Sequence, residues 1–110
     1  MIKPSHVFKE NVAQLPSIDG VARIDFIDGN GAVVGSVENK PGTQGSVAVY
    51  YYLQQSFSML NAEAAEHGLA VFAEHTADAR QHPGAHPNVD RLLAIVAGGE
   101  ALRFHLVKAA

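Results

Sequence analysis

The 110-residue chain contains no cysteine and no tryptophan. Without cysteine there can be no disulfide, no thiolate metal site and no cysteine nucleophile. The chain also lacks runs of basic residues. Its formal net charge is −3, so the positive footprint needed for nucleic acid or an anionic membrane surface is missing. No stretch approaches the ~20 apolar residues of a membrane span. The N-terminal "MIKPSHVFKENVAQLP" has no apolar core of a secretion signal. These absences predict a soluble, cytoplasmic protein with neither nucleic acid nor membrane as partner.

What is present points to a folded domain. Hydrophobic residues make up 47% of the chain, and the mean hydropathy is +0.03, as for a globular protein. No repeat or linker divides it, so residues 1–110 are expected to form one domain. "SHVFKENVAQLP" predicts a short helix capped by Ser5, with Phe8, Val12 and Leu15 on one stripe and Pro16 ending it. "VARIDFID" alternates: Ala22, Ile24 and Phe26 face inward, Arg23 and Asp25 outward. "DGNG" is a tight-turn signal, and "AVVGSVE" is the return strand of a hairpin, with Val33, Gly35 and Val37 on one side.

Pro41-Gly42 fits the centre of a type II turn. Ser46, Val49, Tyr50, Leu53, Phe57 and Leu60 then share one helical arc. A second long helix is expected over 62–80, with Ala65, Leu69, Phe72, Thr76 and Ala79 inward. A third, "PNVDRLLAIVAGG", uses Val89, Leu92, Leu93 and Val96 and closes at Gly98-Gly99. "ALRFHLVK" is a last strand, with Leu102, Phe104 and Leu106 inward. Helices and strands are segregated, which predicts an α+β fold: a small, mostly antiparallel three-stranded sheet packed against about four helices.

Three features are candidates for function. The first is "EHTADARQHPGAHPNVD", which holds three of the six histidines. His75, Asp78 and His82 fall at i, i+3 and i+7, with Glu74 and His67 on the same arc and His86 and Asp90 beyond the Pro83-Gly84 turn. Such groups suit proton transfer. If any metal is held, His75, Asp78, His82 and His86 are the ligand set. The competing reading is a solvated helix face, because an Asp–His pair near a helix end is favourable without a ligand. The second feature is "ENKPGTQGS". Free N–H groups at a helix start bind anions, and Lys40, Thr43, Gly45 and Ser46 are the candidate ligand-binding residues. Gly45 in the first helical turn suggests a close approach to the backbone. The competing reading is a turn plus helix cap. The third is the flank of Tyr52, Ala48 and Met59, which reads as buried surface, a homodimer patch or an aromatic pocket wall.

"ENKPGTQGSVAVYYYL" and "GLAVFAEHTADARQHPGAHPNVDRLL" resemble the bacterial family known as domain of unknown function 2322. The resemblance runs from the first helix to "AIVAGG" and implies a small stand-alone bacterial protein. It carries no activity or cofactor. The combined reading is a site for a small anionic ligand between the two quoted features, with His75, Asp78 and His82 as catalytic candidates, Arg80 as a second clamp and the cofactor unknown. A homo-oligomeric interaction module without catalysis, pairing through a sheet edge or the Tyr52 flank, is the alternative.

Overall fold

The computed structural model describes residues 1–110. The elements are α1 (Phe8–Val12), β1 (Val21–Ile27), β2 (Val33–Glu38), α2 (Gln44–Ser56), α3 (Ala62–Phe72), α4 (Glu74–Gln81), α5 (Pro87–Val96) and β3 (Arg103–Lys108). The antiparallel sheet has the order β2-β1-β3. This is the expected α+β arrangement, with five helices where about four were expected. No helix is long and apolar enough to cross a membrane.

The hairpin forms where its turn chemistry places it. Asp28 Oδ1 accepts from the amides of Asn30 and Ala32, both at 2.9 Å, and Gly31 takes the positive φ of +82° that the turn needs. Ile24 and Phe26 are fully buried under the helices. Strict alternation fails in β2, where the register slips opposite Phe26 and Ile27. A bulge of this kind places an extra residue on one strand, so Val33 is exposed together with Val34. Asp25 also departs from expectation. It lies on the outer face but is 7% exposed, covered by Ser36 Oγ at 2.6 Å and Arg23 Nε at 3.0 Å. The Ser36 hydroxyl, and then Arg23, hold its carboxyl below the usual range against the opposing effect of burial.

The helical layer closes around Tyr50, Leu53 and Leu92, all fully buried. Gly68 permits this, because a Cβ there would lie 2.8 Å from Leu92 Cδ1 and 2.9 Å from Leu53 Cδ1. The α2 arc ends sooner than its spacing suggests. The chain turns extended at Phe57, and Leu60 is buried by bridging to Leu102 instead.

The long helix expected over 62–80 is two helices. The chain breaks at Ala73, which has φ 53° and ψ −117°. Every residue of the expected apolar arc is nevertheless buried, from Ala65 to Ala79. Side chains replace the lost helical bonds. Thr76 Oγ1 donates to the Leu69 carbonyl at 2.6 Å, and Asn11 Nδ2 donates to the Val71 carbonyl at 3.0 Å. Positive φ in a residue with a Cβ costs about 1–3 kcal/mol, whereas glycine costs roughly 0.5–1 kcal/mol in lost freedom. Ala73→Gly is therefore expected to stabilise the chain by about 1 kcal/mol in urea unfolding. A lower midpoint would mean that the Ala73 methyl contributes more by packing than the strain removes.

The N-terminal segment differs from expectation too. α1 is five residues long, and Val7 rather than Ser5 stands at its cap without a side-chain bond. The Phe8 amide instead donates to Glu74 Oε1 at 2.6 Å, which ties α1 to the start of α4. The Ser5 hydroxyl donates to Glu10 at 2.9 Å. Tyr52 is buried in its own chain, so it is unavailable as an aromatic patch for a second copy. Its hydroxyl meets His67 Nε2 at 2.6 Å and accepts from the Ile2 amide at 3.1 Å. Burial, and then the N-terminal ammonium, push His67 below its ordinary value. A neutral ring there can accept a hydrogen bond from the Tyr52 hydroxyl at Nε2.

Candidate functional site

The Pro41-Gly42 turn has the expected form. Gly42 has φ +93°, and the Thr43 amide donates to the Lys40 carbonyl at 3.1 Å. The chain then enters α2 with no side-chain cap. The amides of Gly45 and Ser46 have no partner within the chain, leaving them as open donors at the positive end of a 13-residue helix. α5 begins close by. Pro87, which has no N–H to satisfy, occupies its first turn, and no acidic residue stands in the first turn of α2.

Both helix starts open on one cavity of about 380 Å³. Thr43, Gly45 and Ser46 form one side, and Ala85, His86, Pro87, Asn88 and Val89 the other. Gly42, Phe8, Phe72 and His75 complete the wall. Phe8 stacks on Phe72 with ring centroids 5.4 Å apart and meets the His75 ring edge-on at 4.8 Å. His75 and His86 have centroids 5.5 Å apart. The break at Ala73 matters here, because His75 follows it by two residues and belongs to α4 rather than to a continuation of α3.

His86 is paired on its far side. Its Nε2 lies 2.5 Å from Asp78 Oδ2, and His82 Nδ1 lies 3.2 Å from Asp78 Oδ1. An ionised carboxylate only accepts, so Nε2 of His86 carries the proton in this pair. The bond from His86, and then the charges of His82 and His86, hold the Asp78 carboxyl below its usual range. The arrangement is a histidine–carboxylate pair whose imidazole forms part of a cavity wall.

The sequence-predicted residues separate accordingly. Gly45, Ser46, Thr43, His75 and His86 share the cavity. Asp78 reaches it only through His86. His82 does not line it and stays 64% exposed on its side chain. Lys40 does not line it either and lies 3.5 Å from Glu38. The Thr43 hydroxyl is spent on the Glu38 carbonyl at 2.5 Å. Arg80 borders a different groove, of about 540 Å³, that shares none of these lining residues. His67 sits with Tyr52, away from the cavity. Gly45 does meet a close neighbour, but it is the chain's own Phe8 ring, 2.9 Å from where a Cβ would stand. No three His, Asp or Glu side chains converge as metal ligands would. Asp78 lies between His82 and His86 and turns one oxygen to each.

Phe8, Phe72 and Asn88 are wall residues not selected from the sequence, and His86 stands there among the groups for proton transfer and metal binding but not among the catalytic candidates. The signal for α5 was legible, since a proline at the first position marks a helix start just as the Pro-Gly turn does for α2.

No curated protein and no solved structure matches the chain. A family described as an uncharacterized protein conserved in bacteria (domain of unknown function 2322) matches residues 8–106. That span covers both helix starts, the histidine pair, the hairpin and β3 as far as Leu106, and the chain belongs to this family.

Proposed function

We propose that the chain binds a small anionic ligand in the cavity between the start of α2 and the α4–α5 turn, and that the histidines there can move a proton to or from it. The observation that carries this reading is that the open amides of Gly45 and Ser46 share one cavity with His75 and His86. Amides at a helix start favour an anionic oxygen. The His86–Asp78 pair has the form of a base oriented by a carboxylate. Phe8 and Phe72 offer an apolar wall for the rest of the ligand. Asp78 acts on the ligand only through His86, and His82 is left as a second partner of the same carboxylate.

The test is an amide NMR titration of the ¹⁵N-labelled chain with inorganic phosphate and, separately, with acetate. Saturable shifts are expected at Gly45, Ser46, His75 and His86. A charge-assisted hydrogen bond contributes about 1.5–3 kcal/mol, and 1.4 kcal/mol is tenfold in affinity. His86→Ala should therefore weaken the tighter anion by about tenfold, with the α2 amides still dispersed as in the folded chain. Linear, unsaturated drift at these four positions with both anions would end the proposal.

A further inference from the structure

Arg91 lies close behind the cavity wall, and no carboxylate pairs with it. Its guanidinium carbon stands 4.1 Å from the centroid of the Phe26 ring and 5.4 Å from that of Tyr50. Gly35 makes the room, since a Cβ there would be 3.1 Å from Arg91 Nη2. The group is thus held by two aromatic faces and by the room that Gly35 leaves on the edge strand β2. One nitrogen, Nη1, donates to Asn88 Oδ1 at 3.1 Å. The backbone of the same residue is also pinned, because the buried Tyr50 hydroxyl donates to the Asn88 carbonyl.

Guanidinium nitrogens only donate, so the amide atom facing Arg91 must be the oxygen. The other end of the amide, Nδ2, has two donor hydrogens and no partner in the chain. Asn88 itself lines the cavity.

We infer that Asn88 is the side-chain donor that recognises the ligand, with Arg91 as the positioning residue that fixes which way its amide faces. The matching ligand atom is an acceptor oxygen, such as that of a carboxylate or phosphate. A donor hydrogen directed at that point would face two hydrogens. This inference rests on the proposed anion site and adds to it the residue that discriminates acceptor from donor.

The direct readout is the side-chain NH₂ pair of Asn88 in the folded wild-type chain, assigned by its loss in Asn88→Asp. On titration with inorganic phosphate or acetate it is expected to shift with the same midpoint as the Ser46 amide. Asn88→Asp exchanges the donor for a carboxylate that Arg91 can still hold, and it is expected to raise the Kd at least tenfold. Arg91→Lys keeps the charge but loses the fork. The Asn88 pair should then move toward free-amide shifts before any anion is added, and the Kd should rise severalfold. Saturable shifts at Ser46 with a silent Asn88 pair and an unchanged Kd in Asn88→Asp would overturn this inference alone. No saturable shift anywhere with either anion would overturn both it and the reading beneath it. Binding of acetate but not phosphate, or the reverse, with the Asn88 pair shifting alongside Ser46, supports it and identifies the headgroup.

Discussion

Phe26→Ala is expected to cost about 3–5 kcal/mol, the range for removing a fully buried phenylalanine. Phe26 is 0% exposed in the central strand. Its ring meets Tyr50 edge-on at 4.7 Å and lies 6.3 Å from Phe104. It also carries Arg91 on one face. Truncation therefore removes apolar burial, an aromatic pair and the floor on which the guanidinium rests. For a domain of this size 1 kcal/mol moves the thermal midpoint by roughly 4–8 °C, so a drop of well over 10 °C is expected. A change of under 1 kcal/mol in urea unfolding would show that neighbouring side chains collapse into the space.

Asn11→Asp should be comparably damaging at neutral pH, and the damage should depend on pH. Asn11 is fully buried. Its Oδ1 accepts from the Ser5 amide at 2.7 Å, and its Nδ2 donates to the carbonyls of Ser5 and Val71, both at 3.0 Å. Exchanging the NH₂ for an ionised oxygen sets a negative charge against two carbonyl oxygens and leaves both without their donor. Each orphaned buried group costs about 1–3 kcal/mol, so the two carbonyls put the expected loss at about 2–6 kcal/mol at pH 7. A protonated carboxyl restores one donor. The new group would have a folded pKa above its unfolded value of about 3.9. Its contribution is then most favourable below the unfolded value and is lost as pH rises through the folded value. Relative to wild type, the variant should recover stability between pH 7 and pH 4. A deficit that stays constant across that window would mean the site is wet enough to solvate the charge.

Both substitutions bear on the candidate site. Phe26 supports Arg91, and through it Asn88. Asn11 closes the end of α3 at Val71, two residues before the break that places His75. The cavity is therefore coupled to the sheet on one side and to the N-terminal segment on the other.

Much of the fold was legible because its signals are local. Asp28 to Gly31 names its own turn, Pro41-Gly42 names another, and alternation identifies Ile24 and Phe26 as the buried face of β1, though a second bulge at its start buries Val21 rather than Ala22. Each rests on a few adjacent residues and on steric rules that hold in any context. The break at Ala73 was not legible. No glycine or proline marks it, and helical spacing continues across it without a fault. Thr76, Asn11 and Glu74 stabilise it, and Asn11 and the Glu74 partner Phe8 are about 60 residues distant in sequence. The bulge in β2 was hidden for a similar reason, since alternation is blind to one extra residue placed opposite Phe26 and Ile27.

The candidate site divides along the same line. Composition excluded thiol chemistry, and the residues alone located the two stretches worth attention. Turn and helix-start chemistry, being local, placed open amides at Gly45 and Ser46. Which histidine meets which partner depends on how helices pack, and that is not local. Asp78 pairs with His86 across the Pro83-Gly84 turn as well as with His82 on its own helix. His75 reaches the α2 start because the break at Ala73 redirects α4. Arg91 becomes a support for Asn88 only where Gly35, Phe26 and Tyr50 leave it a place to lie. The sequence by itself determined the α+β class, the turns and most of the inward positions, though Val33 and Val96, expected inward, are exposed and Asp25, expected outward, is buried. Only tertiary packing decided which polar groups share a cavity, because that depends on contacts between segments far apart in the chain.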